Sequence, residues 1–230
     1  MRRRDITVVK LGGSLAGSPH LALWLDALAA CGGRAVIVPG GGPFADAVRL
    51  AQPKMGFGDA AAHRMALLAM EQFGLVLASL QPKLSVAASA AAILRVLQAD
   101  AVPIWSPAAM ALRATEIPAN WDVTSDSLAA WLAGRLGAGR LLLVKHGKWS
   151  NGPVRAADLV ARGIVDRAFP RFLADSGAAA SIASPQAHAA AARAIRSGGN
   201  LGVRIDLHVR NARRLHSPWP RSRHRVGAGR

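Results

Sequence analysis

Short apolar runs, rich in β-branched residues, alternate along the chain with segments whose apolar positions recur at helical spacing. A continuous apolar run predicts a buried strand, whereas spacings of three and four residues predict a helix that packs against it. The predicted strands span residues 5–11, 34–39, 102–105, 141–145, 178–183 and 201–209. The predicted helices span residues 21–30, 43–50, 59–70, 87–99, 124–136, 156–162, 166–174 and 185–196.

The alternation of strands and helices predicts an α/β fold, a three-layer α/β/α sandwich with a mostly parallel central sheet. Asp59 is expected to be the N-cap of the third helix, and Gly74 and Pro82 are expected to interrupt the helical pattern after residue 70. With no internal repeat or linker, we expect one domain over residues 1–210, followed by a flexible basic tail at 211–230.

Two glycine turns follow predicted strands within the first 45 residues. The motif Gly12-Gly13-Ser14 comes after the first strand, and Gly40-Gly41-Gly42 comes after the second. Because glycine has no Cβ, such turns can bring backbone N–H groups against an anion, and the helix that follows adds partial positive charge. Two turns of this kind predict a site for a ligand with several phosphates.

Two lysines stand at the ends of predicted strands, where α/β folds keep their ligands. Lys10 precedes the first glycine turn, and Lys145 ends the strand at 141–145. The first turn is neither a Walker A loop nor a dinucleotide fingerprint, because no Gly-Lys-Ser/Thr follows a strand and a third glycine is missing.

A third polar segment, residues 120–127, reads Asn-Trp-Asp-Val-Thr-Ser-Asp-Ser before an apolar helical run. Either Asp122 or Thr124 is expected to cap that helix. Asp122 and Asp126 are four residues apart, so both carboxylates can also face a common site, where an acid would hold lysines in place or bind an acceptor.

The charge distribution and amino-acid composition exclude several classes of function. The formal net charge is +16, but residues 204–230 hold eight arginines and one aspartate and so contribute +7 of it. Aromatic residues are only 5%, and no zinc-finger, helix-turn-helix or RNP-like pattern is present, so we expect no nucleic-acid partner. A single cysteine excludes a disulfide framework, and no apolar run reaches the length of a membrane span, so a cytoplasmic protein without a membrane partner is expected.

Three motifs together resemble the amino acid kinase family, which includes acetylglutamate, uridylate and isopentenyl phosphate kinases. They are Lys10-Leu-Gly-Gly-Ser14, Pro39-Gly-Gly-Gly-Pro43 with Ala45-Asp46, and Asp122-Val-Thr-Ser-Asp126. The resemblance covers about residues 5–209. The short length, the segment 63–72 and Gly163-Ile-Val-Asp166 with Phe169-Pro170 are most similar to the small kinases of methanofuran biosynthesis.

The resemblance implies an ATP- and Mg²⁺-dependent kinase that phosphorylates a phosphate monoester, an aminomethylfuran-methyl phosphate, to its diphosphate. It also implies a homodimer or larger homo-oligomer, with the nucleotide side at about residues 140–205 and the acceptor and phosphoryl site in the N-terminal part. Lys10 would bridge the donor and transferred phosphoryl groups, and Asp126 would orient the lysines. Lys145 would either supply a second catalytic ammonium or only contact phosphate.

The remaining candidates fall into two groups. The phosphate-binding candidates are Gly12, Gly13, Ser14, Gly40, Gly41 and Gly42. The substrate-binding candidates are Asp59, His63, Asn120, Asp122 and Thr124. His63 and Glu71 are eight residues apart on one helix and either face one cleft or belong to a solvated surface, and Asp59 or Glu71 would suit an amine-bearing acceptor. Asp166 is expected to be a helix cap rather than a ligand.

One segment departs from the family. Many relatives place Asp-Val-Asp-Gly-Val-Tyr after the strand equivalent to 141–144, near the nucleotide base, whereas this chain reads Lys-His-Gly-Lys-Trp at 145–149, without carboxylates. No protein ligand for a metal is expected here, so magnesium would be held mainly by phosphate oxygens and water.

Three alternative functions stay open. The first is a sibling kinase that acts on uridylate, isopentenyl phosphate or an amino-acid carboxylate. The second, which the altered segment 145–149 favours, is a non-catalytic nucleotide-binding or storage relative. The third is a nucleic-acid-binding role of the basic tail at 211–230.

Overall fold

The architecture is a mixed sheet between two layers of helices, in a computed structural model that describes residues 2–149 and 152–207. The strands in this part are β1 Thr7–Leu11, β2 Ala35–Pro39, β3 Leu84–Ala87, β4 Val102–Trp105, β5 Arg140–Val144, β6 Val154–Arg155, β7 Ala179–Ala183 and β8 Val203–Asp206. The helices are α1 His20–Ala29, α2 Gly42–Met55, α3 Asp59–Leu80, α4 Ala90–Gln98, α5 Ala108–Ala111, α6 Ser125–Leu136, α7 Ala156–Ala161, α8 Phe169–Ser176 and α9 His188–Ser197.

The strand order in the sheet is β3-β4-β2-β1-β5-β7-β8-β6. Every neighbouring pair is parallel except β7 and β8, which are antiparallel. The predicted α/β class with a mostly parallel sheet is therefore confirmed. Strand β1 lies in the middle, and Lys10 is level with Val38 of β2 and Leu143 of β5. Because parallel strands end at one edge, the segments after β1, β2 and β5 meet there.

Alternating side chains of the central strands fill two apolar cores, one on each face of the sheet. Val8 and Leu141 join a cluster with residues of α6 and α8, whereas Val9 and Leu142 join a cluster with residues of α1 and α9. Helices thus cover both faces, which explains why the strands read as continuous apolar runs rather than alternating ones.

Three local predictions were wrong. Asp59 is not the N-cap of α3, because the N-cap is Gly58 and Asp59 is the first residue of the helix. Gly74 does not interrupt α3, which continues to Leu80. A Cβ at Gly74 would lie 3.3 Å from Cγ2 of Ile104, so this glycine lets the helix approach the sheet closely. The structure also has a strand, β3, where a helix over 87–99 was predicted to begin. That helix, α4, begins later, after Ser89 accepts a hydrogen bond from the Ala92 N–H.

The extent of the domain stays a prediction. The tail at 211–230 and the end of the strand predicted at 201–209 lie outside the described residues. Among the helices of the described part, none has the length and the apolar run that crossing a membrane would require.

The two glycine turns touch each other backbone to backbone at the carboxyl edge of the sheet. The Gly40 N–H donates to the carbonyl of Leu11 at 2.8 Å. A Cβ on Gly40 would lie 2.4 Å from the backbone nitrogen of Gly13, and a Cβ on Gly13 would lie 2.5 Å from that of Gly42. No side chain fits between these loops, so the contact requires glycine on both sides.

Substitution of Gly40 by alanine should therefore destabilise the protein, by about 1–3 kcal/mol, because the added methyl group overlaps a backbone that cannot move aside. Urea unfolding measures this change. Gly152 is the matched control, since a Cβ there would meet nothing within 4 Å, and Gly152→Ala should change the free energy of unfolding by no more than about 0.5 kcal/mol. Equal effects of the two substitutions would contradict the close contact of the turns.

Candidate active site

A buried carboxylate joins two lysine ammonium groups where β1, β5 and α6 meet. Lys10 Nζ lies 2.9 Å from Oδ1 of Asp126, and Lys145 Nζ lies 2.7 Å from Oδ2 of the same side chain. The side chains of Lys10 and Asp126 are each only 4% exposed. Lys10 comes from the carboxyl end of β1, Lys145 follows β5, and Asp126 is in the first turn of α6, so three distant segments build one charged cluster.

The charges of this cluster follow from burial and pairing. Burial lowers the pKa of Lys10 to about 8, against the opposing influence of Asp126. Burial alone would raise the pKa of Asp126, but the ammonium groups of Lys10 and Lys145 outweigh it and hold that pKa below its usual value. At neutral pH the cluster is two cations and one anion, with a net charge of +1. Such a group stabilises an added anion.

The amino end of α6 is fixed by a carboxylate from much later in the chain. One oxygen of Asp166 accepts hydrogen bonds from the Thr124 N–H at 2.9 Å, the Thr124 hydroxyl at 2.8 Å and the Ser127 N–H at 3.1 Å. Its other oxygen accepts from the Ser127 hydroxyl. Asp166 thus satisfies the free N–H groups that begin this helix and holds in place the turn that carries Asp126.

The expected capping was therefore partly wrong. Neither Asp122 nor Thr124 caps α6 with its own side chain, because the Thr124 hydroxyl donates to Asp166 instead. Asp166 is a cap, as expected, but of α6 rather than of the helix that follows it, since α8 begins only at Phe169. The same segment also supports Lys145, whose ammonium donates to the carbonyl of Ile164 at 2.6 Å.

A cleft with a volume of about 300 Å³ opens in front of the charged cluster. Its polar floor is Lys10, Asp126 and Lys145, and the first glycine turn lines it through Gly12, Gly13 and Ser14. Gly41 and Gly42 of the second turn line the same cleft, while Gly40 lies behind them against Gly13. Glycines of two loops and two lysine side chains therefore line one space, a combination that suits a polyphosphate.

Comparison with known proteins decides the family. The sequence pattern of the amino acid kinase family matches residues 5–147, more than half of the chain. The chain belongs to the amino acid kinase family. The resemblance seen in the three motifs is thereby confirmed, and the protein is a phosphotransferase for which family membership implies ATP as the phosphoryl donor.

One curated relative is the [5-(aminomethyl)furan-3-yl]methyl phosphate kinase of Methanocaldococcus jannaschii, which is 25% identical over 177 residues, or 72% of this chain and 82% of the relative. Uridylate kinase from Archaeoglobus fulgidus has a similar structure, with a TM-score of 0.65, 15% identity, and coverage of 87% of this chain and 100% of the other. UMP kinase from Bacillus anthracis also has a similar structure, with a TM-score of 0.65, 17% identity, and coverage of 89% of this chain and 97% of the other. These solved structures show the common fold.

In this family member, the substrate-binding candidates separate into two groups. His63 and Thr124 line the cleft, and burial lowers the pKa of His63, which favours the neutral imidazole at pH 7. Asp59, Asn120 and Asp122 do not line it.

Each of the three candidates outside the cleft has another contact. Asp59 accepts a hydrogen bond from the Gln52 amide at 2.8 Å, and the side-chain oxygen of Asn120 accepts from the Asp122 N–H at 3.0 Å. The carboxylate of Asp122 lies 3.8 Å from Arg167. The functional roles of all these candidates stay predictions.

Glu71 does not reach the cleft either. Its carboxylate accepts from the Ser106 hydroxyl at 2.6 Å and from the Ala108 N–H at 2.9 Å, which places it at the start of α5. Within the described residues, the carboxylates that line the cleft are Asp46 and Asp126. An amine-bearing acceptor would therefore meet Asp46 rather than Asp59 or Glu71.

Arg49 and Trp121 are among the cleft residues that were not in the candidate set. Their positions in the sequence gave a weak signal: Arg49 lies two turns into the helix that follows the second glycine turn, and Trp121 immediately precedes the motif that contains Asp126. Both are brought to the cleft by contacts between α2 and the loop before α6, which no local pattern reveals.

The activity of this enzyme should fall as pH rises through about 8. The predicted role of Lys10 in phosphoryl transfer requires its ammonium form, and burial lowers the pKa of that group to about 8. The dependence of kcat/KM on pH, measured between pH 6 and 10, reports this group in the free enzyme. Residual activity of Lys10→Arg should lack this alkaline limb, because a guanidinium stays charged. A wild-type profile that is flat to pH 10 would contradict the assignment.

Replacement of Asp166 by alanine should cost about 1–3 kcal/mol, because the N–H groups of Thr124 and Ser127 lose their partner. Asp166→Asn is the matched control and should cost much less, since an amide oxygen still accepts. Burial and the nearby Asp126 raise the pKa of Asp166, so the folded protein favours the charged form of this carboxyl group less than water does. Urea unfolding of both variants tests the cap, and equal losses would argue against it.

Proposed function

We propose that this enzyme transfers the γ-phosphoryl group of ATP to a phosphate monoester, [5-(aminomethyl)furan-3-yl]methyl phosphate, and forms its diphosphate for a methanofuran-type C1 carrier. The observation that carries the proposal is the cationic cluster of Lys10, Asp126 and Lys145 facing two glycine turns across one cleft. The choice of acceptor is supported by the 25% identical relative and by the motifs in 120–127 and 163–170.

The proposed reaction breaks the bond between the γ-phosphorus and the β-γ bridging oxygen, and forms one to an oxygen of the acceptor phosphate. ADP leaves with the bridging oxygen. Lys10 would neutralise charge on the donor and transferred groups, and Lys145 would neutralise charge beside it. Transfer of this kind depends on alignment and charge stabilisation, which a fixed pair of ammonium groups supplies without reorganisation.

A phosphate acceptor also suits the protonation states of the cleft. The phosphate oxygen is already ionised near neutral pH, so no general base is required. Asp126 is badly placed to be one, because both of its oxygens are paired with lysines at 2.9 and 2.7 Å. We therefore assign Asp126 a positioning role. The N–H groups of Gly12 and Gly13 would hold the transferred phosphoryl group, and those of Gly41 and Gly42 the acceptor phosphate.

Magnesium would arrive with ATP rather than reside in the protein. Within the described residues there is no group of three His, Cys, Asp or Glu side chains with the spacing of a metal site. The carboxylate closest to the phosphate site is already shared by two lysines. The residues present thus do not fit a cation bound by the protein itself. Magnesium would instead be coordinated by the phosphate oxygens of ATP and by water.

We further propose that the protein is cytoplasmic and forms a homodimer or a larger homo-oligomer. Helix α3 presents exposed apolar side chains that a second copy would cover, among them Leu68, Leu75 and Leu80.

An acceptor screen tests the proposed function. ADP release should be fastest with the aminomethylfuran phosphate, and ³¹P NMR should show a diphosphate product. The competing acceptors are UMP, isopentenyl phosphate and N-acetylglutamate. Lys10→Met should lower kcat by about 10²–10³ or more through loss of transition-state charge stabilisation. Lys83→Met, which removes an exposed lysine outside the cleft, should leave kcat unchanged.

Preference for any competing acceptor would show that the proposed acceptor is wrong. Absence of ADP release with all four acceptors would contradict the proposed function as a whole.

A further inference from the structure

The end of the cleft away from the lysines has an aromatic wall, Trp121, whose orientation is fixed. Its indole N–H donates to the side-chain oxygen of Gln52 at 2.6 Å. The amide nitrogen of Gln52 in turn donates to Asp59 at 2.8 Å. Gln52 is on α2 and Asp59 begins α3, so two helices hold the indole where it lines the cleft.

Arg49 completes this wall. Its guanidinium carbon lies 4.7 Å from the centre of the Trp121 ring, which is the geometry of a cation–π contact. The same guanidinium lies 3.2 Å from the carboxylate of Asp46, and both side chains line the cleft. A flat cationic group and a flat indole therefore lie together beside one opening.

The position of the wall along α2 relates it to the acceptor phosphate. The helix begins at Gly42, and Arg49 follows seven residues later, a rise of about 10 Å along the helix axis. An acceptor whose phosphate binds at Gly41 and Gly42 would extend its remaining atoms toward Arg49 and Trp121. A ring one or two bonds from the phosphate is of the size that this distance accommodates.

We propose that Trp121 and Arg49 select the acceptor, and that they favour phosphate monoesters whose body is a flat aromatic ring over branched aliphatic ones. The proposal rests on the proposed function in placing the acceptor phosphate at Gly41 and Gly42. A flat ring can stack on the indole or the guanidinium, whereas a branched alkyl chain makes fewer contacts with a planar wall. Trp121 is fixed before the acceptor arrives, so little ordering is needed on binding.

Binding of two probe compounds tests the wall without requiring turnover. Calorimetry would compare benzyl phosphate with 3-methylbutyl phosphate. The wild-type protein should bind benzyl phosphate about tenfold more tightly, and Trp121→Leu should reduce this ratio to about one. A wild-type ratio near one, or a ratio that persists in Trp121→Leu, would overturn the proposal.

The chain provides a matched control in Trp131. Its indole N–H donates to Glu116 at 2.8 Å and Arg135 lies 5.6 Å from its ring, but it does not line the cleft. Trp131→Leu should keep the wild-type ratio. If Trp131→Leu also lost the preference for benzyl phosphate, the loss in Trp121→Leu would be due to general destabilisation. That result would overturn the proposal.

A second variant removes the support of the ring rather than the ring itself. Gln52→Ala frees the indole and should reduce the preference for benzyl phosphate several-fold, even if Trp121→Leu fails to fold by circular dichroism. Gln81→Ala is its control, since Gln81 donates to Asp26 at 2.7 Å away from the cleft, and it should bind as the wild type does. Identical ratios in Gln52→Ala and Gln81→Ala would overturn the fixed wall.

Kinetics separate this proposal from the proposed function. Phosphoryl transfer to both probes with equal kcat/KM would overturn the wall and leave the kinase activity standing. Preferential binding of benzyl phosphate, lost in Trp121→Leu but without phosphoryl transfer to any monoester, would support the wall and contradict the proposed function.

Discussion

The site depends on one buried carboxylate held between two ammonium groups. Burial of Lys10 alone would favour its neutral form, and burial of Asp126 alone would favour the protonated acid. Each charge is kept by the presence of the other, and Lys145 adds a further cation within 2.7 Å of the same carboxylate. The cluster keeps a net positive charge in a place with little water, where an anion is stabilised more strongly than at the surface.

This cluster is only as well ordered as the start of α6, and that helix end is supported by residues 164–166. The carbonyl of Ile164 accepts from Lys145 and the carboxylate of Asp166 accepts from the first turn of α6. One short segment therefore fixes both the second ammonium group and the helix that carries Asp126. This segment would affect the chemistry by positioning Lys145 and Asp126 rather than by contacting a phosphate itself.

The two ends of the cleft are lined by different chemical groups. At the lysine end the glycine turns contact each other through backbone atoms, with no room for a Cβ. At the other end the Trp121 indole donates a hydrogen bond to Gln52, and Arg49 makes a cation–π contact with the Trp121 ring. In the proposed function, the backbone of the glycine turns would hold the phosphate that the candidate monoesters share, whereas Arg49 and Trp121 would meet the acceptor body, which differs between them.

The sequence by itself determined the α/β class, the glycine turns and the placement of Lys10 and Lys145 at strand ends, because strand and turn preferences act over a few neighbouring residues. Tertiary structure decided that Asp166 caps α6, that Asp59 holds Gln52 instead of facing the cleft, and that Trp121 and Arg49 line it. Tertiary packing also allowed α3 to continue through Gly74 and formed the strand β3 at the edge of the sheet. These features join residues 7 to 72 positions apart in the chain, and their partners become neighbours only once sheet and helices have packed.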